Sequence, residues 1–235
     1  MSLFAMADLH LSLSTNKPMD VFGDSWRDHE KRINEAWRAM VKETDTVLVP
    51  GDISWGMTME EALMDLQFLD SLPGKKILSK GNHDYWWGTN GRVEDFLQTH
   101  GLTTMSLLKN NAFLVDDTAV CGTRGWILPD NTEWKTSDRT VYERELGRLE
   151  RSLICGTELL SSIDGRLVVM LHYPPITDPN RDTDFSLLLE KYHVDVCVYG
   201  HIHGRGHKKA FEGVRNGTEY RLISADYISF KPLRL

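Results

Sequence analysis

Leu3-Phe4-Ala5-Met6-Ala7-Asp8-Leu9-His10 opens the chain with an apolar run that breaks into a carboxylate and an imidazole. Short apolar runs bounded by polar residues suit buried strands. The same event recurs four times further along. Thr46-Val47-Leu48-Val49 stops at Pro50-Gly51-Asp52, and Lys76-Ile77-Leu78-Ser79 stops just before Gly81-Asn82-His83-Asp84. A strand from Arg166 to Leu171 runs into His172, and one from Val194 to Tyr199 runs into Gly200-His201-Ile202-His203. In open α/β sheets, ligands bind in the crevice beyond the carboxyl ends of the strands. Five such ends at one edge would gather carboxylates, an amide and imidazoles. That oxygen-and-nitrogen set, without cysteine, suits Mn, Fe or Zn. Alternation in an extended His201-Ile202-His203 would put both rings on one side.

The intervening sequence reads as helices and short strands. Residues 25–43 predict a helix capped by Asp24 or Ser25, with Trp26, Ile33, Ala36, Trp37 and Met40 on one face. Thr58 with Glu61 forms a capping box before Ala62, Leu63, Leu66, Leu69 and Leu72. Further helices are expected over 91–99, 138–162 and 184–192, and short strands over 103–107, 112–115 and 118–122. Asn216-Gly217 between extended segments signals a type I′ hairpin. The first strands alternate with helices, which implies parallel βαβ units, whereas the later strands are mixed. Two packed mixed sheets flanked by helices accommodate both. No repeat or linker interrupts the chain, so one domain over 1–235 is expected.

Composition bounds the function. Of 235 residues, 41% are hydrophobic and 26% charged, a globular balance that excludes a disordered chain. Acidic residues outnumber basic ones, 34 to 27, for a net charge of -7. A binder of nucleic acid duplexes usually carries a basic face, so that partner is not expected. Cys121, Cys155 and Cys197 are odd in number and form no CxxC pair, which points to reduced thiols rather than a disulfide framework. No apolar run approaches the ~20 residues of a membrane span. Asp8 and His10 also come too early for a cleaved signal peptide, so the expected location is cytoplasmic and no membrane partner is expected.

Asp8-Leu9-His10, Gly51-Asp52, Gly81-Asn82-His83-Asp84, His172 and Gly200-His201-Ile202-His203 resemble, in order and spacing, the calcineurin-like metallophosphoesterases. The likeness runs from residue 4 to about 203. It implies a four-layer α/β/β/α sandwich with two mixed sheets. It also implies two transition-metal ions, Mn, Fe or Zn. Asp8, His10 and His203 would hold the first ion, Asn82, His172 and His201 the second, and Asp52 would bridge them. Such a pair neutralises the phosphoryl oxygens and lowers the pKa of a bridging water that attacks in line. His83 would be the catalytic histidine that protonates the leaving oxygen, with Asp84 orienting it or serving only as a turn cap.

The implied activity is hydrolysis of a small phosphomonoester or phosphodiester, nucleotide-type substrates included. The alternative, a catalytically silent scaffold for protein binding, normally goes with lost ligands, and every ligand position is present here. Arg124 could clamp a phosphate, or form a salt bridge to carboxylates. Trp86 and Trp126, with Trp55, Trp87, Trp134, Tyr85 and Tyr173, could wall a pocket for a base or sugar ring, or seal loops against the sheets. His29, His100, His193 and His207 are expected in structural or solvated positions.

Overall fold

The computed structural model describes residues 1–15, 17–178 and 180–235. In chain order its elements are β1 (Leu3–Ala5), α1 (His29–Met40), β2 (Thr46–Pro50), α2 (Met59–Ser71), β3 (Lys75–Ser79), α3 (Asn90–Thr99), β4 (Met105–Leu107), β5 (Phe113–Val115), β6 (Thr118–Thr123), α4 (Asp138–Leu159), β7 (Arg166–Leu171), α5 (Asp184–Lys191), β8 (Val196–Tyr199), β9 (Gly213–Arg215), β10 (Thr218–Leu222) and β11 (Leu233–Arg234). They form two mixed sheets flanked by helices, an α/β architecture of the kind the resemblance implies. The chain falls into two compact units, Met1–Leu107 with Ile223–Leu235, and Leu108–Leu222.

The first unit holds a sheet in the order β11-β1-β2-β3-β4. Strands β1 to β4 are mutually parallel, and β11 is antiparallel to β1. Parallel strands need crossovers, which α1, α2 and α3 supply. Phe4, Val47, Val49 and Leu78 pack with Ile33 and Trp37 of α1, Leu66 and Leu69 of α2, and Val93 and Leu97 of α3. The Trp37 indole N–H donates to the Pro73 carbonyl at 2.9 Å, which pins α1 to the α2–β3 turn.

Local details depart from the sequence pattern for identifiable reasons. Asp28 is left-handed (φ 52), so the expected helix over 25–43 begins only at His29, and Trp26 lies in a preceding 3₁₀ turn. The Thr58 hydroxyl accepts the Glu61 N–H at 3.2 Å, but the Glu61 carboxylate takes the Met57 N–H rather than that of Thr58. Only half of the capping box forms.

The second unit holds a sheet in the order β5-β6-β7-β8-β10-β9. Its four central strands are parallel, and β5 and β9 close the edges as antiparallel hairpins. Asn216 (φ 49) and Gly217 (φ 87) make the expected type I′ turn between β9 and β10. Leu149 and Leu153 of α4 pack on Cys121, Leu167 and Val169. Ser152 of α4 accepts the Gly122 N–H at 2.9 Å. Gly122 is required there: its φ is +154, and a Cβ would run into the Met170 carbonyl. Burial pushes the Cys121 thiol up to about 12 and raises that of Cys197, so neither is a ready nucleophile.

Asp65 of α2 is fully buried, accepts the Leu13 N–H at 2.8 Å, and takes the Ser54 hydroxyl as a second donor. Burial nevertheless pushes its carboxyl up to about 6 from 3.8. A carboxyl that holds its proton more tightly when folded stabilises fully below pH 3.8, and that stabilisation is lost as pH rises through about 6. Asp65→Asn keeps an acceptor for Leu13. It should flatten the fall in unfolding free energy across this window by about 1–3 kcal/mol. Urea denaturation at a series of pH values measures this, and an unchanged slope would assign the titration elsewhere.

Candidate active site

The parallel pairing of β1 and β2 does not stop at the sheet edge. The Asp8 N–H donates to the Gly51 carbonyl at 3.0 Å, His10 to Asp52 at 2.9 Å, and Leu11 to Ile53 at 2.9 Å. The loops after the two strands therefore run side by side. Asp8 (φ 59), His10 (φ 46) and Asp52 (φ 52) are all left-handed. Aspartate and histidine are among the non-glycine residues that enter that region most readily. All three side chains are buried, and His10 Nε2 lies 3.8 Å from Asp52 Oδ2.

The loop after β3 is tied into the same rim by Asp84. Its carboxylate accepts the backbone N–H groups of Asp52 (2.9 Å), Ile53 (2.9 Å), Ser54 (3.2 Å) and Gly81 (2.8 Å), and the Trp86 indole N–H (3.0 Å). The His83 N–H in turn donates to Asp52 Oδ1 at 2.8 Å. Gly81 must be glycine, because a Cβ would fall on the Asp52 carboxylate and amide. Burial pushes the Asp84 carboxyl up to about 6, the charge of Asp52 adds to this, and the bonded amides pull against it.

Asp84 thus spends its oxygens on backbone and indole donors rather than on the His83 ring. The His83 ring is held by aromatic contacts instead: Trp55 at 4.7 Å, His10 at 5.8 Å and Tyr85 at 6.1 Å between centroids. Its Nδ1 is buried and has no hydrogen-bond partner among the described residues. Asn82 and His83 are both half-buried. Trp86, expected to touch substrate, is instead packed in the first core, because its N–H is drawn inward to Asp84.

His10 is positioned by its neighbours. Trp55 stacks on it at 4.9 Å with an interplanar angle of 20°, and Trp26 meets it edge-on at 5.7 Å. His29 Nε2 lies 3.2 Å from the His10 carbonyl, and its Nδ1 lies 3.1 Å from Glu30. Burial lowers the His29 pKa while Glu30 opposes the shift. His29 therefore anchors the backbone of a left-handed residue, a role that periodicity at a helix start does not reveal.

The second unit presents its own set at the ends of β7 and β8. His172 is fully buried. The Arg124 carbonyl accepts the N–H groups of both His172 and Tyr173 at 3.0 Å, and the His172 carbonyl accepts the Gly200 N–H at 3.2 Å. These bonds knit three strand ends together. His201 lies 5.1 Å from His172 and 4.3 Å from Tyr173 between ring centroids. His201 is left-handed (φ 72), so the His-Ile-His run turns away from strand geometry and does not alternate as expected, while Ile202 packs into the second core. His203 precedes a 3₁₀ turn over Gly204–Lys209 and is half-buried.

Arg124 is engaged within this unit. Its guanidinium lies 4.3 Å over the Trp126 ring and 3.9 Å from Glu145. Glu145 is itself buried and bonded to Thr123 and Arg148. Trp126 packs on Tyr173 at 5.3 Å and donates its N–H to Asp138 at 3.1 Å. The loop tryptophan therefore reaches the histidine cluster through Tyr173.

The first unit carries buried carboxylates and an imidazole at strand ends, and the second carries histidines at its own, donors of the kind that hold metal ions. Several buried carboxylates in one rim, with Asp52 raising the pKa of Asp84, also suit a bound cation. The calcineurin-like phosphoesterase profile matches residues 1–205, and the chain belongs to that family. The Gene 66 protein of Mycobacterium phage L5 is 33% identical over 78 residues, which is 33% of this chain and 37% of that protein. The match therefore spans little more than a third of that relative.

Solved structures share the fold at low identity. The protein TT1561 of Thermus thermophilus has a TM-score of 0.59 at 10% identity, covering 99% of this chain and 97% of that one. The phosphopantetheinyl hydrolase of Mycobacterium tuberculosis has a TM-score of 0.54 at 14% identity, covering 100% and 95%. AQ665 of Aquifex aeolicus, a protein of unknown function, has a TM-score of 0.53 at 15% identity, covering 99% and 95%. Among the described residues no helix is long and apolar enough to cross a membrane.

Asp84→Asn replaces one acceptor oxygen with an N–H donor that faces other N–H donors. It should lower stability by about 2–4 kcal/mol, seen as a fall in Tm. A carboxylate that served the His83 ring alone would leave the Tm unchanged.

Proposed function

We propose that the two units together form one metallophosphoesterase domain that hydrolyses a small phosphomonoester or phosphodiester. Family membership supports metal-dependent phosphoester hydrolysis as the general chemistry. The observation that carries the finer reading is the buried Asp8–His10–Asp52 set on paired strand ends, with Asp52 fixed by the His83 N–H. Asp8, His10 and His203 would hold one ion, Asn82, His172 and His201 a second, and Asp52 both. Manganese, iron and zinc all suit this oxygen-and-nitrogen set. Two such ions supply Lewis acidity toward phosphoryl oxygens and acidify a shared water.

The chain's own part is positioning and proton transfer. His83 stands beside His10, held by ring contacts, with Nδ1 not committed to an acceptor among the described residues. It would hydrogen-bond the phosphoryl group and give a proton to the leaving oxygen. Asp84 keeps the His83 backbone and Asp52 in fixed register, so its role is positioning. Arg124 lies two aromatic rings from His201, through Trp126 and Tyr173, and would steady a phosphate from that side. The substrate is a small phosphorylated molecule, with a nucleotide favoured by the aromatic supply near the strand ends. Reduced cysteines fit a cytoplasmic setting.

With manganese added, the protein should hydrolyse p-nitrophenyl phosphate or bis-p-nitrophenyl phosphate. Asp52→Asn should lose bound metal, measured by elemental analysis, together with nearly all turnover. His83→Ala should keep its metal while turnover falls by about a hundredfold or more. Metal loss in the His83 variant would show that this residue is a ligand and not the acid. Metal-loaded protein that cleaves neither ester, nor any nucleotide, would favour the silent scaffold.

A further inference from the structure

The segment that follows β10 returns to the first sheet and is fixed to β1 and its extension twice. At its start the Ala7 N–H donates to the Ile223 carbonyl and the Ala225 N–H to the Ala7 carbonyl, both at 2.9 Å. At its end β11 pairs with β1 through Phe4 with Arg234 and Ala5 with Leu233. This is the strand that runs out into Asp8 and His10. Between the anchors the backbone is unfavourable: Ser229 (φ 56) and Phe230 (φ 61) are both left-handed. A bulky side chain is an outlier in that region, and it persists there only where the surroundings over-determine it. The family profile ends at residue 205, so this loop lies beyond the matched sequence.

What the strained backbone achieves is the placement of one ring. Phe230 is buried, and its N–H donates to the Ala225 carbonyl at 2.7 Å. Its ring meets Trp26 edge-on at 5.2 Å and His29 at 6.1 Å. The Arg32 guanidinium lies 4.3 Å over it and donates to the Ser25 carbonyl at 2.6 Å, which ties α1 to the turn that carries Trp26. Trp26 and His29 meet each other at 5.4 Å, and both reach His10. Trp26 touches the His10 ring edge-on at 5.7 Å, and His29 Nε2 lies 3.2 Å from the His10 carbonyl. Glycine at 230 would relieve the backbone but lose the ring.

We propose that Phe230 is a positioning residue for His10: it packs Trp26 and His29 into one arrangement, and through them fixes the His10 ring and backbone for a metal ion. This rests on the reading above in one respect, that His10 is a metal ligand. Groups that orient a ligand set its affinity for the metal, so the effect belongs in metal uptake.

Phe230→Leu keeps apolar bulk and removes the ring. Val93→Ala, on α3 in the same core, is the control for lost stability alone. Calorimetric titration of the metal-free full chain with manganese should show one ion bound about tenfold more weakly in Phe230→Leu, and no such change in Val93→Ala at a comparable fall in Tm. A second readout needs no metal. By NMR of the metal-free protein, the His10 ring resonances, assigned by their loss in His10→Gln, should shift and broaden in Phe230→Leu and stay in place in Val93→Ala. Equal weakening of manganese in both variants, or His10 resonances that Phe230→Leu leaves untouched, would overturn the assignment. Wild-type protein that takes up no manganese would sink the reading of His10 as a ligand, and the metal-free spectra would still decide whether Phe230 positions its ring.

Discussion

Asp84 is fully buried, and its carboxylate can be held there only because four backbone N–H groups and one indole N–H reach it. Those donors come from two loops, the one after β2 and the one after β3. The bond set is therefore a weld between strand ends that the sheet alone would leave free to diverge. An unsatisfied buried carboxylate costs several kcal/mol, so neither loop can move without exposing or orphaning it. Asp52 is carried along, since its own N–H is one of the donors and its carboxylate accepts from His83. Gly81 completes the arrangement by leaving room for that carboxylate. The rim is rigid because a negative charge inside it has been fully solvated by backbone.

The second unit solves the same problem with a carbonyl. The Arg124 oxygen gathers the N–H groups of His172 and Tyr173, and so fixes the end of β7 against the end of β6. The guanidinium of that residue then stacks on Trp126, whose ring meets Tyr173, whose ring meets His201. Backbone bonds set the strand ends, and a run of aromatic contacts sets the histidines. Rings packed in this way lose rotamer freedom before any ligand arrives, which is the physical content of a preorganised site.

Sequence made the strand ends legible because each buried strand stops abruptly at a polar pair. The parallel strands are apolar on both faces, so Val47-Leu48-Val49 and its counterparts stand out without alternation. What stayed hidden has physical causes. β11 is two residues long and gives no pattern. The start of α1 depends on Asp28 entering the left-handed region, a decision of the backbone that helical spacing does not record. Asp84 beside His83 reads as a catalytic pair when only sequence adjacency is visible. Its bonds run instead to residues about thirty positions earlier in the chain. Trp86 was hard to place for the same reason: only its indole bond to Asp84 reveals that it faces the core.

The acidic composition and a phosphate substrate then stop being in tension. Asp8, Asp52 and Asp84 are all buried in the first unit, and the charge of Asp52 is felt by Asp84 as a raised pKa. On its own such a rim repels phosphate. Affinity for an anion has to come from cations brought to it, as metal ions would be.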